Sequence, residues 1–153
     1  MTGDADRNPV SEREDVVRYA GQTKCDDGKI NGIGFLPRRH DNGELSVNRL
    51  AGRAETDSEA VAIIRTLCHL KIGSSGLWGQ FNIGDAIDRL RDIADLEGVH
   101  CLADPLPAED PYPDDPTHAV ICPLPYDDGS EFADLVGDTL KNAVGNNYYP
   151  GRL

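Results

Sequence analysis

The chain has 153 residues and carries 27 acidic against 15 basic side chains, a formal net charge of −12 at pH 7. This charge argues against general affinity for nucleic acid or for anionic membranes, since both attract basic surfaces. The length favours one folded domain with its own core. The sequence lacks a run of 18 apolar residues and the basic-then-apolar order of a secretory signal, so we expect a cytoplasmic protein without a membrane span.

We predict three parts along the chain. Residues 1–14 are polar and charged, which is typical of a flexible N-terminal segment. Residues 15–145 form the single globular domain, because the apolar patterns of the predicted strands and helices all lie within them. Residues 146–153 follow the glycine that ends the last predicted helix, and we expect them to form a C-terminal tail.

Residues 30–49 predict a β-hairpin. Residues 30–35 are a glycine-spaced apolar run, and Asp-Asn-Gly at 41–43 is turn chemistry, because Asn and Gly tolerate a positive φ. Leu45 and Val47 then alternate with polar residues, the period of a half-buried strand. The hairpin would bring the two ends of this segment together.

Basic side chains concentrate in this hairpin. Four arginines and two acids lie between Phe35 and Arg53, so the segment is positive within an acidic chain. Arginine offers a planar fork of donors to phosphate or carboxylate. Two interpretations stay open: the arginines pair with acids of the chain, or they bind an anionic ligand. In the second case the ligand-binding candidates are Arg38, Arg39, Asp41 and Arg49.

The candidates for catalysis are two histidines and a serine. Acid–base or nucleophilic chemistry needs a histidine close to a serine or a carboxylate. His40 and Ser46 lie in the hairpin, and His118 would arrive from a distant strand. A histidine that begins an aliphatic strand is more often structural, and no standard catalytic motif is present, so the sequence leaves the question of enzymatic activity open.

Two segments resemble a known group of proteins. Residues 35–49 fit the pattern F-x-P-R-x-x-D-x-x-x-L-S-V-x-R, and residues 116–121 fit P-x-H-A-x-I. Both patterns resemble segments of small uncharacterised bacterial proteins, in which the first forms a hairpin and the second a strand. The resemblance extends loosely over residues 30–125. It implies a bacterial source and one domain, and it brings no activity with it.

Capping residues followed by apolar side chains at helical spacing predict three helices. Thr56 starts the clearest of them, over about residues 57–70, and we expect this helix to be the central packing element, with Leu67 in the middle of its apolar stripe. Asn82 and Ser130 start the other two.

The remaining elements complete the predicted fold. Residues 99–102 and 118–122 are predicted strands. The acidic, proline-rich stretch 104–116 between them should be an exposed connection with few backbone hydrogen bonds to the sheet, because charge and proline both oppose burial. The order of elements favours an α+β fold, with a small mixed or antiparallel sheet packed against about three helices.

Metal binding is a further alternative. The chain has four cysteines and four histidines, but it has no zinc-knuckle spacing. His100 and Cys101 are adjacent on a predicted strand, so they point to opposite faces and cannot easily share an ion. We therefore expect no metal and no cofactor, and we interpret the cysteines as buried thiols.

The function that the sequence favours is a non-enzymatic bacterial accessory or interaction protein, whose acidic surface contacts another protein encoded nearby. The alternative is a small enzyme or sensor that acts on a phosphorylated or nucleotide ligand at the arginine-rich hairpin. Neither interpretation involves direct contact with nucleic acid or with a membrane.

Overall fold

A computed structural model describes residues 7–149, which form a six-stranded antiparallel sheet with three α-helices and a separate two-stranded sheet. The predicted α+β class is therefore confirmed. The large sheet has the strand order β6-β7-β4-β1-β5-β8, and β2 pairs with β3. In chain order the elements are β1 (Asp15–Ala20), β2 (Cys25–Asp26), β3 (Lys29–Ile30), β4 (Leu45–Arg49), α1 (Asp57–Leu67), β5 (Leu77–Asn82), α2 (Ile83–Arg91), β6 (His100–Ala103), β7 (His118–Cys122), α3 (Glu131–Ala143) and β8 (Asn146–Tyr148).

The three helices begin at the predicted capping residues. The side chains of Thr56, Asn82 and Ser130 each accept a hydrogen bond from the backbone N–H three residues further on, at 2.9–3.2 Å. α1 ends at Leu67 rather than at residue 70, because the backbone of Cys68 is extended. None of the helices within residues 7–149 has the length and apolar character needed to cross a membrane.

The two faces of the sheet bury cores of different size. Successive residues of a strand point to opposite faces, so Val16 and Val17 belong to different clusters. α2 and α3 cover the face of Val16 and form the larger core. α1 covers part of the other face with a smaller cluster, in which Ile64 is fully buried, whereas Leu67 is only half-buried. The expectation that α1 is the central packing element is therefore wrong.

The hairpin predicted over residues 30–49 does not form. Gly32–Phe35 is a 3-10 turn that packs on α3, and β4 pairs with β1 and β7 instead. A Cβ atom at Gly137 of α3 would lie 2.6 Å from the carbonyl oxygen of Gly32, so these two glycines allow the turn and the helix to touch backbone to backbone. The glycine spacing of this segment serves helix packing rather than strand pairing.

Both predicted terminal segments contribute to the sheet where the structure describes them. The backbone N–H of Val10 donates to Cys101 at 2.9 Å, and that of Ala103 donates to Asn8 at 2.7 Å, so part of the predicted flexible segment lies along β6. Asn146–Tyr148, predicted as tail, form β8 and pair with β5. Residues 1–6 and 150–153 lie outside the described residues.

The proline-rich connection between β6 and β7 is exposed at most positions, but it closes on itself as an irregular hairpin. Leu106 and Asp115 exchange two backbone hydrogen bonds, and so do Glu109 and Tyr112. Asp104 adds one bond to the sheet, from its N–H to the carbonyl of His118 at 2.9 Å. The prolines occupy the positions between these donors, so they do not interrupt the pairing.

Candidate functional site

An opening between two central strands positions the candidate site. Within the described chain, β1 pairs with β4 only at Val16–Arg49 and Val17–Asn48, although it pairs with β5 along its whole length. Arg18 extends into the space beyond these pairs. Its Nε donates to the carbonyl of Gly34 at 2.9 Å, and its Nη1 donates to the carbonyl of Ser46 at 3.0 Å. The guanidinium thus takes the place of a backbone partner for β4.

A pocket of about 440 Å³ opens beside Arg18, and we call it the cationic pocket. The end of β1, the turn before β2, the segment that leads into β4 and the chain after α1 form its walls. Its volume is in the range of small-molecule sites. The charged residues that line it are Arg18, Lys24, Arg38 and Lys71, together with Asp41 and Glu44.

The two carboxylates of the cationic pocket are already paired with arginines. Asp41 accepts from the backbone N–H of Arg38 at 2.7 Å and from its guanidinium at 3.2 Å. Burial by itself would raise the pKa of Asp41, but the hydrogen bonds from Arg38 outweigh it and hold this pKa below its ordinary value. Glu44 accepts from Arg7 at 2.6 Å. Neither of these ion pairs includes the other cations of the pocket, Arg18, Lys24 and Lys71.

Within residues 7–149, Arg18, Lys24 and Lys71 have no ion-pair partner. Burial lowers the pKa of Arg18 to about 10, so its guanidinium remains charged at neutral pH. Burial also lowers the pKa of Lys24, and the charges of Arg18 and Arg38 lower it further. The pocket therefore holds positive charges that repel one another, and a bound anion would relieve this repulsion.

Of the four predicted ligand-binding residues, two line the cationic pocket and two lie outside it. Arg38 and Asp41 line the cationic pocket. Arg39 lies over the ring of Tyr126, at 5.9 Å from its centroid. Arg49 is the last residue of β4, and its Nε and Nη2 donate to the two carboxylate oxygens of Glu14 at 2.9 and 2.7 Å. Because the hairpin is absent, Arg38 and Arg49 do not come together, and Arg49 has the intramolecular partner that the first interpretation of the arginines requires.

The predicted catalytic residues line one open cleft of about 350 Å³. His40, Ser46 and His118 all contribute to it, because β4 and β7 are neighbours in the sheet. The cleft shares Ser46 with the cationic pocket, along with Asp41 and Glu44, so the two form adjoining parts of one surface.

The contacts of His118 show what this cleft can do. Its Nδ1 lies 2.8 Å from the carbonyl oxygen of Asp104 and 3.2 Å from a carboxylate oxygen of the same residue. Both oxygens are acceptors, so Nδ1 carries a proton and donates to them. Among the described residues, however, Ser46 Oγ has no hydrogen bond to either histidine. The described part of this cleft therefore does not contain the hydrogen bond between a serine and a histidine that activates a serine nucleophile.

The sequence interpretation missed three residues of the cationic pocket: Arg18, Lys24 and Lys71. A signal for Arg18 was present, since it is the one charged residue within the otherwise apolar stretch Val16–Ala20. A charge between apolar residues of a strand often marks a partly buried group with specific partners. Lys24 and Lys71 lie in segments that connect the larger elements. Lysines are common in such exposed segments, so their positions do not predict a binding site.

Two buried cysteines are chemically inert. Burial raises the pKa of Cys68 to about 11 and that of Cys101 to about 12, so both thiols are protonated and unreactive at neutral pH. Across residues 7–149, no three His, Cys, Asp or Glu side chains are grouped so that they could hold a metal ion.

The fold and the site together define a small antiparallel α+β protein with a cationic pocket at an opening in its sheet. Comparisons with models of protein families, with curated proteins and with solved structures find no match to this chain.

Proposed function

We propose that this protein is a non-enzymatic sensor that binds a small phosphorylated or nucleotide ligand in the cationic pocket. The observation that carries this proposal is the set of cations in this pocket, Arg18, Lys24 and Lys71, that have no ion-pair partner within residues 7–149. A phosphoryl group offers several strong acceptors and up to two negative charges, and arginine and lysine are the usual residues that bind it. The chain as a whole is strongly acidic, but four cations and two acids line this pocket, so an anion from outside would balance the local excess of positive charge.

The remainder of such a ligand would lie along the wall shared with the His118 cleft. Ser46 and the adjacent backbone supply neutral hydrogen-bonding groups there. Within residues 7–149, Ser46 has no hydrogen bond to a histidine, so these residues would recognise the ligand without cleaving it.

Binding of pyrophosphate, followed by calorimetry and by thermal unfolding, tests the proposal. We expect pyrophosphate to raise the melting temperature in a concentration-dependent way, since a ligand that binds only the folded state stabilises it. Lys71→Glu should weaken pyrophosphate affinity by about tenfold or more, because it replaces an attractive charge with a repulsive one. Lys71 is exposed, so this variant should still fold.

Two matched variants complete this experiment. Lys29→Glu makes the same change of net charge at an exposed residue outside the pocket, and it should leave the affinity almost unchanged. Arg49→Ala removes the pair with Glu14, so it should lower the melting temperature while pyrophosphate still binds. Equal losses in Lys71→Glu and Lys29→Glu would show that net charge alone governs binding, and this would contradict the proposal.

The second candidate function is the accessory protein that contacts another protein through its acidic surface. The observation that favours it is the defined shape of the acidic β6–β7 connection, which exposes Glu109 and Asp110 at its tip. This connection also contacts one residue of the cationic pocket, His69. His69 lines the pocket, its Nε2 lies 2.6 Å from the carbonyl oxygen of Pro113, and its ring stacks on Tyr112 at 5.2 Å. A bound ligand would thus lie close to the base of a surface available to a basic partner.

Affinity capture tests this second candidate. The protein is used as bait in an extract of its source cells, and the variant carrying both Glu109→Lys and Asp110→Lys serves as the comparison. We expect the wild type to retain a stoichiometric partner, encoded nearby, that the variant loses, because like charges oppose association. Recovery of the same proteins by both baits, or of none by the wild type, would contradict this function.

A further inference from the structure

Lys24 occupies a special place in the cationic pocket. It is the last residue of the 3-10 turn Gln22–Lys24 and is half-buried. It lines the pocket together with Arg18 and Arg38, and within the described chain its amine has neither a hydrogen bond nor an ion pair. Lys71 lines the same pocket but is exposed, so the two lysines form a natural comparison.

The surroundings of Lys24 raise its fraction of free amine above that of an ordinary exposed lysine. Burial lowers the pKa of its ammonium group, the charges of Arg18 and Arg38 lower it further, and the more weakly acting Asp127 and Asp41 oppose this. An amine reacts with a carbonyl carbon only through its free lone pair, and burial beside another cation is a known means of activating a lysine. Lys24 thus combines accessibility from a pocket with a raised fraction of nucleophile.

We propose that Lys24 forms a reversible imine with a phosphorylated aldehyde or ketone whose phosphoryl group is held by Arg18 and Lys71. The phosphoryl part of this inference rests on the proposed function. The Lys24 nitrogen adds to the carbonyl carbon and gives a carbinolamine, which loses one molecule of water to form the carbon–nitrogen double bond. No oxidant or reductant takes part, and addition of water reverses the reaction. The covalent bond would select carbonyl compounds among the anions that the pocket admits.

Reductive trapping with pyridoxal 5′-phosphate tests this inference. The protein is incubated with the aldehyde, reduced with borohydride and digested, and the modified lysines are identified by mass spectrometry. The chain has four lysines, Lys24, Lys29, Lys71 and Lys141, so the modification can be compared at each of them. We expect Lys24 to be modified severalfold faster than the other three, pyrophosphate to slow this modification, and unphosphorylated pyridoxal to react severalfold more slowly at Lys24.

The variant Lys24→Arg should lose the rapidly formed adduct, because a guanidinium group does not form an imine with the aldehyde. Pyrophosphate binding is measured separately on the wild-type protein, so the imine and the anion site are tested independently. If pyrophosphate binds the wild type while all four lysines react at similar rates, the imine is refuted and the anion site remains. If pyridoxal and pyridoxal 5′-phosphate modify Lys24 equally fast, binding of the phosphoryl group by Arg18 and Lys71 is refuted.

Discussion

Asp115→Ala lowers the free energy of unfolding by about 2–4 kcal/mol, the range expected when several buried donors lose a charged acceptor. The carboxylate of Asp115 is fully buried. It accepts from the backbone N–H and the hydroxyl of Thr117 at 3.0 and 2.7 Å and from Nδ2 of Asn48 at 3.0 Å. Alanine leaves these donors without their charged acceptor and weakens the attachment of the β6–β7 connection to β4, which keeps the bond from Asn48 to Thr117. Urea denaturation followed by circular dichroism measures this loss.

Asp114 provides a control one residue away. It is exposed, and among the described residues its carboxylate accepts only from the backbone N–H of Ala108, at 2.6 Å, so Asp114→Ala should cost at most about 1 kcal/mol. Asp115→Asn keeps the shape of the side chain and one acceptor oxygen. Its loss of free energy of unfolding should therefore lie between the losses of Asp114→Ala and Asp115→Ala. Similar losses in Asp114→Ala and Asp115→Ala would mean that Asp115 does not anchor the connection.

The starts of the helices could be predicted from the sequence because helix capping is a local interaction. Thr56, Asn82 and Ser130 each accept from a backbone N–H only three residues away, so a short stretch of sequence contains the whole signal. The α+β class followed in the same way, from periodicity within each element.

The partner of β4 could not be predicted in this way. The turn at residues 41–43 is real, since Asn42 and Gly43 have φ values of 56° and 74°. Turn chemistry shows where the chain reverses, but it does not show which strand lies alongside. β4 pairs with β1 and β7, which are distant in sequence, while the apolar run before the turn packs on α3. Packing of the whole domain thus overrides the local preference for a hairpin.

Only part of the candidate site could be predicted, because some of its contacts are local in the sequence and others depend on the packing of distant strands. Arg38 and Asp41 are three residues apart, and their contact is local. His118 reaches the cleft of Ser46 only through the register of β4 with β7, in which Asn48 faces His118. Arg18 becomes part of a site only because β1 and β4 stop pairing beside it, and no pattern within β1 indicates where a neighbouring strand will separate from it.

Ile64→Ala should lower the free energy of unfolding by about 2–5 kcal/mol, the usual cost of removing most of a large aliphatic side chain from a core. Ile64 is fully buried on the inner face of α1, in the cluster that contains Val17 and Trp78. That cluster is small, so few neighbouring side chains can move to fill the cavity.

Leu67→Ala tests the same helix at a position that the apolar pattern does not distinguish from Ile64. Leu67 is the last residue of α1 and only half-buried, so its replacement should cost about 1 kcal/mol, as part of its side chain already contacts water. The two midpoints of urea denaturation, compared under one set of conditions, measure the difference. A loss in Leu67→Ala equal to that in Ile64→Ala would mean that α1 continues past Leu67 and buries its last turn, as the sequence pattern alone predicts.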